Sequence, residues 1–333
     1  MSTLHEVAAR MVAPGRGILA ADESIRTMSS RLEAAGVAAS ETTRRDYREM
    51  LVSTPDLATG VSGVILADET LRQSTRAGQP IPKLLDDLGI LPGIKVDTGA
   101  HPLAGADGET ITEGLDGLRA RLAEYAQMGA AFAKWRAVIT ITGNTPSRRA
   151  IAANAHALAR YARLCQEQGI VPIVEPEVMM SGAHTLTRTA LVTNAVLREV
   201  FGQLELAGVD YAGMVLKPNM VVPGVDSPRP AGPEEVAEAT VQTLLCRVPE
   251  QVAGVAFLSG GQAPAVATAN LAAMQSATTP WPLTFSFGRA LVDPALKARR
   301  GSDDAWTAGQ EALAARVRRN VEALNGSYLP EAA

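Results

Sequence analysis

The feature that most constrains this chain is a rhythm: short apolar, β-prone runs, each ending in a polar residue, alternate with stretches of helical periodicity. The runs are GILAAD at 17–22, GVILAD at 63–68, GIKVD at 93–97, FAKWR at 132–136, IVPIVEPE at 170–177, GMVLKPN at 213–219, GVAFLSG at 254–260 and LTFSFGR at 283–289. Between them lie patterns such as Leu115, Leu118, Leu122 and Tyr125, spaced by three, four and three, and the segment 147–168. Strand then helix, eight times over, predicts an α/β protein built as a (β/α)8 TIM barrel. A doubly wound open sheet would want fewer units and a Gly-rich turn after the first strand. Here GRG at 15–17 precedes that strand, which reads as a tight turn feeding a barrel. The 333 residues could hold two domains, but no linker rich in Pro, Gly or Ser divides them, so a single domain over 1–333 is expected. Residues 306–325 read as a final amphipathic helix and 326–333 as a flexible tail.

The formal net charge of −4 argues against binding nucleic acid or an anionic membrane, both of which call for excess Lys and Arg. Cys165 and Cys246 stand singly in helical stretches without CxxC spacing, and MSTLHEVAARMV is not a basic leader followed by an apolar run. A reducing cytoplasmic setting is therefore expected. His5, His101, His156 and His184 are dispersed, without HxH or HxxxH spacing, so no metal site and no cofactor are expected.

Basic residues carry the most information. Of the 31, only five are Lys, at 83, 95, 134, 217 and 297. Where lysine persists in an arginine-rich chain, chemistry that needs an amine is a reason, because a guanidinium does not lose its proton and attack a carbonyl. Lys95, Lys134 and Lys217 all fall in the strand runs. Alternation along a strand puts Lys134 and Arg136 on one face, and likewise Glu175 and Glu177. With Asp22 at the end of the first run, a barrel mouth would hold Asp22, Lys95, Lys134, Arg136, Glu175, Glu177 and Lys217. Burial and like-charge neighbours favour a neutral lysine, and carboxylates move protons as an imine forms and breaks down. A buried ion-pair network serving only the barrel is the competing reading.

Two glycine-containing loops weigh against that reading. The seventh run ends in Ser259-Gly260-Gly261 and the eighth runs into Gly288-Arg289, the two loops where barrels frequently hold a phosphate. Glycine allows close backbone approach, and Arg289 supplies a forked donor. A phosphorylated carbonyl compound becomes the leading substrate class.

Taken together, GRGILAADES (15–24), GIKVDTG (93–99), FAKWRAV (132–138), VPIVEPE (171–177), VLKPNMV (215–221), LSGGQ (258–262) and FSFGRAL (285–291) resemble the class I, Schiff-base-forming fructose-1,6-bisphosphate aldolase family. The blocks are in the family's order across nearly the whole chain. The resemblance implies that Lys217 forms a Schiff base with the ketone of the sugar. It assigns Glu175 to acid/base work on the carbinolamine, Asp22 to the C4 hydroxyl, and Lys134 to tuning the carboxylates, with Glu177 and Arg136 contributing. Ser259, Gly260, Gly288 and Arg289 would hold the C1 phosphate. Ser24, Thr27 and Lys95 would hold the C6 phosphate, with Arg31 also among the substrate-binding residues. After ADES this chain carries Ile25-Arg26-Thr27 where the family commonly has TGS, so the contact there falls to a threonine beside an extra arginine. Tyr328 matches a position before the tyrosine that closes the animal enzymes, so it receives no role in protonating the enamine. A homotetramer is implied. The alternatives are the same chemistry on sedoheptulose 1,7-bisphosphate or fructose 1-phosphate, or a scaffold role.

Overall fold

The computed structural model describes residues 3–330. Strands β1 (Gly17–Ala21), β2 (Val61–Leu66), β3 (Leu91–Lys95), β4 (Phe132–Ile139), β5 (Val171–Val178), β6 (Val215–Leu216), β7 (Val255–Phe257) and β8 (Leu283–Phe287) close into a parallel barrel in sequence order. The first and last strands are joined through the Ile18–Ser286 and Leu19–Phe287 pairs. This is the predicted TIM barrel. Helices cover its outside, so β1, β2, β5 and β8 are buried along their whole length, which is why their sequences run apolar rather than alternating.

Inside the barrel the core is thin. Ile18, Ala20, Ile65, Leu91, Phe132, Val171, Ile173, Val215 and Ala256 fill its lower part, and the N-terminal helix Leu4–Met11 stoppers the floor with Val7, Ala8 and Met11. Phe132 fits because its neighbours lack side chains: a Cβ at Gly93 would lie 2.2 Å from its ring and one at Gly63 2.8 Å. The polar strand residues therefore stand on an apolar plug. Outside, Trp135 is fully buried between β4 and helix Arg148–Glu167, where it packs on Tyr161 with ring centroids 5.6 Å apart. The odd residues of FAKWR thus serve the helical layer and the even ones the barrel interior, Phe132 in the plug and Lys134 and Arg136 at the mouth.

Several details differ from the sequence expectation. The sixth strand is only two residues long rather than spanning 213–219. Gly213 belongs to a 3-10 turn capped by Asp210, and Pro218 has no N–H to continue the ladder. Lys217 still donates its backbone N–H to Val174 O at 2.8 Å, which fixes its direction. A hairpin, Gly99–Pro102 paired with Thr110–Glu113, occupies what reads as loop. It docks on β4 through Thr112, whose hydroxyl donates to Arg136 O at 2.8 Å.

The closing helix is Trp306–Leu324. Residues 326–330 fold back on it: Ser327 donates its N–H to Glu322 O at 3.0 Å, and Arg319 lies over the Tyr328 ring. Positions 331–333 of the expected tail lie outside the described residues. Cys165 is buried and Cys246 exposed, neither in a disulfide. No helix among the described residues is long and apolar enough to cross a membrane.

Candidate active site

A cavity of about 610 Å³ opens at the carboxyl ends of the strands. The candidate residues meet there: Asp22, Ser24, Thr27, Arg31, Lys95, Lys134, Arg136, Glu175, Glu177, Lys217, Ser259, Gly260, Gly288 and Arg289 all line it. They come from seven strand ends, so only barrel closure assembles them.

Two lysines and two carboxylates form the centre. Lys134 Nζ lies 2.7 Å from Asp22 Oδ2 and 3.3 Å from Glu175 Oε2, while Lys217 Nζ lies 3.2 Å from Glu175 Oε1. Glu175 therefore bridges the two ammonium groups. Lys134, Glu175 and Lys217 are almost fully buried. In Asp22, burial pushes the pKa up, but Lys134 and then Lys217 overcome it and bring the carboxyl down to about 2. Glu175 behaves likewise: burial raises it, and Lys134, Lys217 and Arg136 together leave it below the usual carboxylate value. For Lys134, burial is outweighed by Asp22 and Glu175, so its pKa is pushed up and it stays a fixed cation.

The register explains the neighbours. Arg136 pairs with Glu175 across β4 and β5, two positions beyond Lys134, and its Nε donates to Glu177 Oε2. Lys95 pairs with Lys134 across β3 and β4, yet its Nζ turns away to Asp97, 2.7 Å from Oδ1 and 2.9 Å from the carbonyl oxygen. Sequence reasoning passed over Asp97. It is buried and also accepts from the backbone N–H of Gly99 and of Arg136, each at 3.2 Å. The signal was present, since Asp97 ends the third run as Asp22 ends the first. Ser286 and Glu23 were missed as well. Ser286 has a buried hydroxyl without a hydrogen-bond partner among the described residues, and Glu23 binds Arg31 and Arg48.

The rims carry anion-binding features. On one side, Gly260 and Gly261 adopt φ of +60° and +92°, a region that side chains disfavour, and helix Arg289–Arg299 starts at Gly288. In its first turn Leu291 and Val292 donate their N–H groups to Gly288 O, at 2.8 and 3.0 Å, which leaves the N–H groups of Arg289 and Ala290 at the open end, and Arg289 forms no ion pair among the described residues. On the other side, helix Ile25–Ala34 begins with Ser24 as its cap, accepting from Thr27 N–H at 3.2 Å. Arg31 reaches this cavity with its guanidinium already bound to Glu23 and to Asp293, the latter at 2.6 Å.

The family model for fructose-bisphosphate aldolase class-I matches residues 3–333. The chain belongs to this family. Among aldolases it is similar to the probable fructose-bisphosphate aldolase class 1 of Xylella fastidiosa, 55% identical over 295 residues and covering 88% of each chain. Fructose-bisphosphate aldolase C of Rattus norvegicus is 50% identical over 328 residues, 98% of this chain and 90% of the rat protein. The aldolase of Plasmodium falciparum, solved in complex with TRAP and a small-molecule inhibitor, superposes with a TM-score of 0.97 at 41% identity over 98% of this chain and 95% of that one.

Proposed function

We propose that this aldolase cleaves fructose 1,6-bisphosphate reversibly to dihydroxyacetone phosphate and glyceraldehyde 3-phosphate through an imine at Lys217. The observation that carries this reading is the buried Lys217 amine, 3.2 Å from Glu175, in a cavity with anion-binding features on opposite rims. Attack of the amine on the C2 ketone requires loss of a proton, and Glu175 is the neighbouring acceptor. The same carboxyl group returns a proton to the carbinolamine hydroxyl, which leaves as water.

The protonated imine then draws electrons from the C3–C4 bond as Asp22, ionised beside Lys134, takes the proton of the C4 hydroxyl. Glyceraldehyde 3-phosphate leaves and an enamine remains. Protonation and hydrolysis of the enamine release dihydroxyacetone phosphate and restore Lys217. Lys134 keeps Asp22 and Glu175 ionised side by side, and the Arg136–Glu177 pair flanks them. Ser259, Gly260, Gly288 and Arg289 hold the C1 phosphate. Ser24, Thr27 and Lys95 hold the C6 phosphate, with Arg31 fixing that rim. A net acidic protein accommodates a bisphosphate because the cations are concentrated at these two places.

Borohydride reduction in the presence of dihydroxyacetone phosphate tests the scheme. A mass increment on the peptide bearing Lys217, unchanged by chelators, is the expected result. Labelling of another residue, or none, would overturn it. A homotetramer in the cytoplasm completes the proposal, with sedimentation as the check on assembly.

A further inference from the structure

Another cavity, of about 250 Å³, lies apart from the catalytic mouth, among Leu32, Val37, Tyr47, Leu296 and Arg299. Its anomaly is Arg299. The residue is 5% exposed, and its Nε has no hydrogen-bond partner among the described residues. The carboxylate beside it, Asp303, stands 3.9 Å from Nη2, while the same Asp303 oxygen is 2.8 Å from Arg76. The guanidinium lies over one ring, Trp306, at 4.8 Å from the centroid, and Arg76 lies over that ring at 4.8 Å too.

Arg299 is the least closely paired cation of this lining. Arg76 and Arg299 face Asp46 and Asp303, but Asp46 is taken by Arg45 and Arg76, each at 2.6 Å. Arg299 is left with Asp303, which it shares with the closer Arg76. Burial pushes its pKa down, Asp46 and Asp303 oppose that, and Arg76 adds to it. A guanidinium cannot relieve such a site by deprotonation, and it brings five donors that want acceptors. Water could accept from these donors but would bring no negative charge close to the guanidinium.

We propose that this cavity binds a small organic monocarboxylate, its carboxylate on Arg299 and its short apolar chain against Leu32, Val37 and Leu296. One buried guanidinium with only a distant, shared acid calls for one carboxylate. Asp46 and Asp303 would repel a dianion, and the aliphatic walls suit a carbon chain better than inorganic phosphate.

The test is a titration of the full chain with sodium butanoate at constant ionic strength, followed by calorimetry and by tryptophan emission. Butanamide and sodium phosphate are the controls. Saturable binding is expected for butanoate, at least tenfold weaker for both controls, with an emission change that disappears in Trp306→Phe. Arg299→Met and Val37→Phe, the second of which fills the cavity while keeping the guanidinium, should each abolish saturation while retaining aldol cleavage. Should Arg299→Met not fold, Val37→Phe decides. Absence of saturable heat in the unmodified protein, equal binding of butanamide or phosphate, or saturation that survives in the folded variants would overturn the proposal.

Discussion

Replacing Asp22 by Asn removes one charge from the centre of the cavity with almost no change of shape. The carboxyl group falls from its usual 3.8 to about 2 although burial pushes the other way, with Lys134 and Lys217 responsible. Each pH unit is worth about 1.4 kcal/mol, so that depression corresponds to about 2 kcal/mol of folding free energy held by the ionised form. A lowered folded-state pKa stabilises the fold fully above 3.8 and loses that stabilisation as pH falls through about 2. Linkage leaves about 1 kcal/mol at about pH 3. Asp22→Asn should therefore be less stable than the parent by about 2 kcal/mol at neutral pH, and by about half as much near pH 3. Urea unfolding of both proteins at equal concentration, with matched m-values, measures the difference. An equal gap at both pH values, or a variant more stable than the parent at neutral pH, would refute the electrostatic account.

Glu175→Gln keeps the bridge between the two lysines in outline but cannot exchange a proton. Its kcat should fall by roughly 10²–10⁴, and reductive trapping at Lys217 should slow in parallel; an unchanged trapping rate would exclude proton transfer at the carbinolamine. Gly93→Ala places a Cβ 2.2 Å from the Phe132 ring. Such overpacking costs about 1–3 kcal/mol, so thermal unfolding should shift down, and Phe132→Leu in the same chain should recover part of the loss. Ser24→Ala loses the cap on Thr27 N–H, worth about 1 kcal/mol. It should also raise KM for fructose 1,6-bisphosphate more than for fructose 1-phosphate; equal effects on both would remove Ser24 from the C6-phosphate site.

The strand runs were legible because a strand covered on both faces needs continuous apolar sequence, and each run ends in a polar residue where the barrel opens. The long helices were legible for a similar local reason. Ser147 caps Arg148–Glu167, and the buried stripe of that helix, apolar except for Asn154 and Gln166, runs from Ala150 to its end. The hairpin at 99–113 was not, because its strands are four residues each and carry almost no apolar pattern. What holds it is a bond from Thr112 to β4, a partner distant in sequence. Asp97 was hidden for a different reason. Its worth lies in the three groups that it collects, Lys95 and the N–H groups of Gly99 and Arg136, and no single segment displays them together. Arg31 shows the converse: its type suits phosphate, while its pairing with Glu23 and Asp293 depends on where two helices meet.

The sequence alone determined the repeating βα order, the face on which each strand lysine and carboxylate stands, and the glycines at 260, 261 and 288 that shape the loops after the last two strands. These follow from periodicity and from local backbone preference, which act over a few residues. Tertiary structure alone decided which charges share a partner. Glu175 lies between Lys134 and Lys217, Lys95 is drawn off to Asp97, and Arg299 is left to share a distant Asp303 with Arg76. Electrostatic energy depends on distances of a few ångströms and on burial, and both come into being only when the barrel closes.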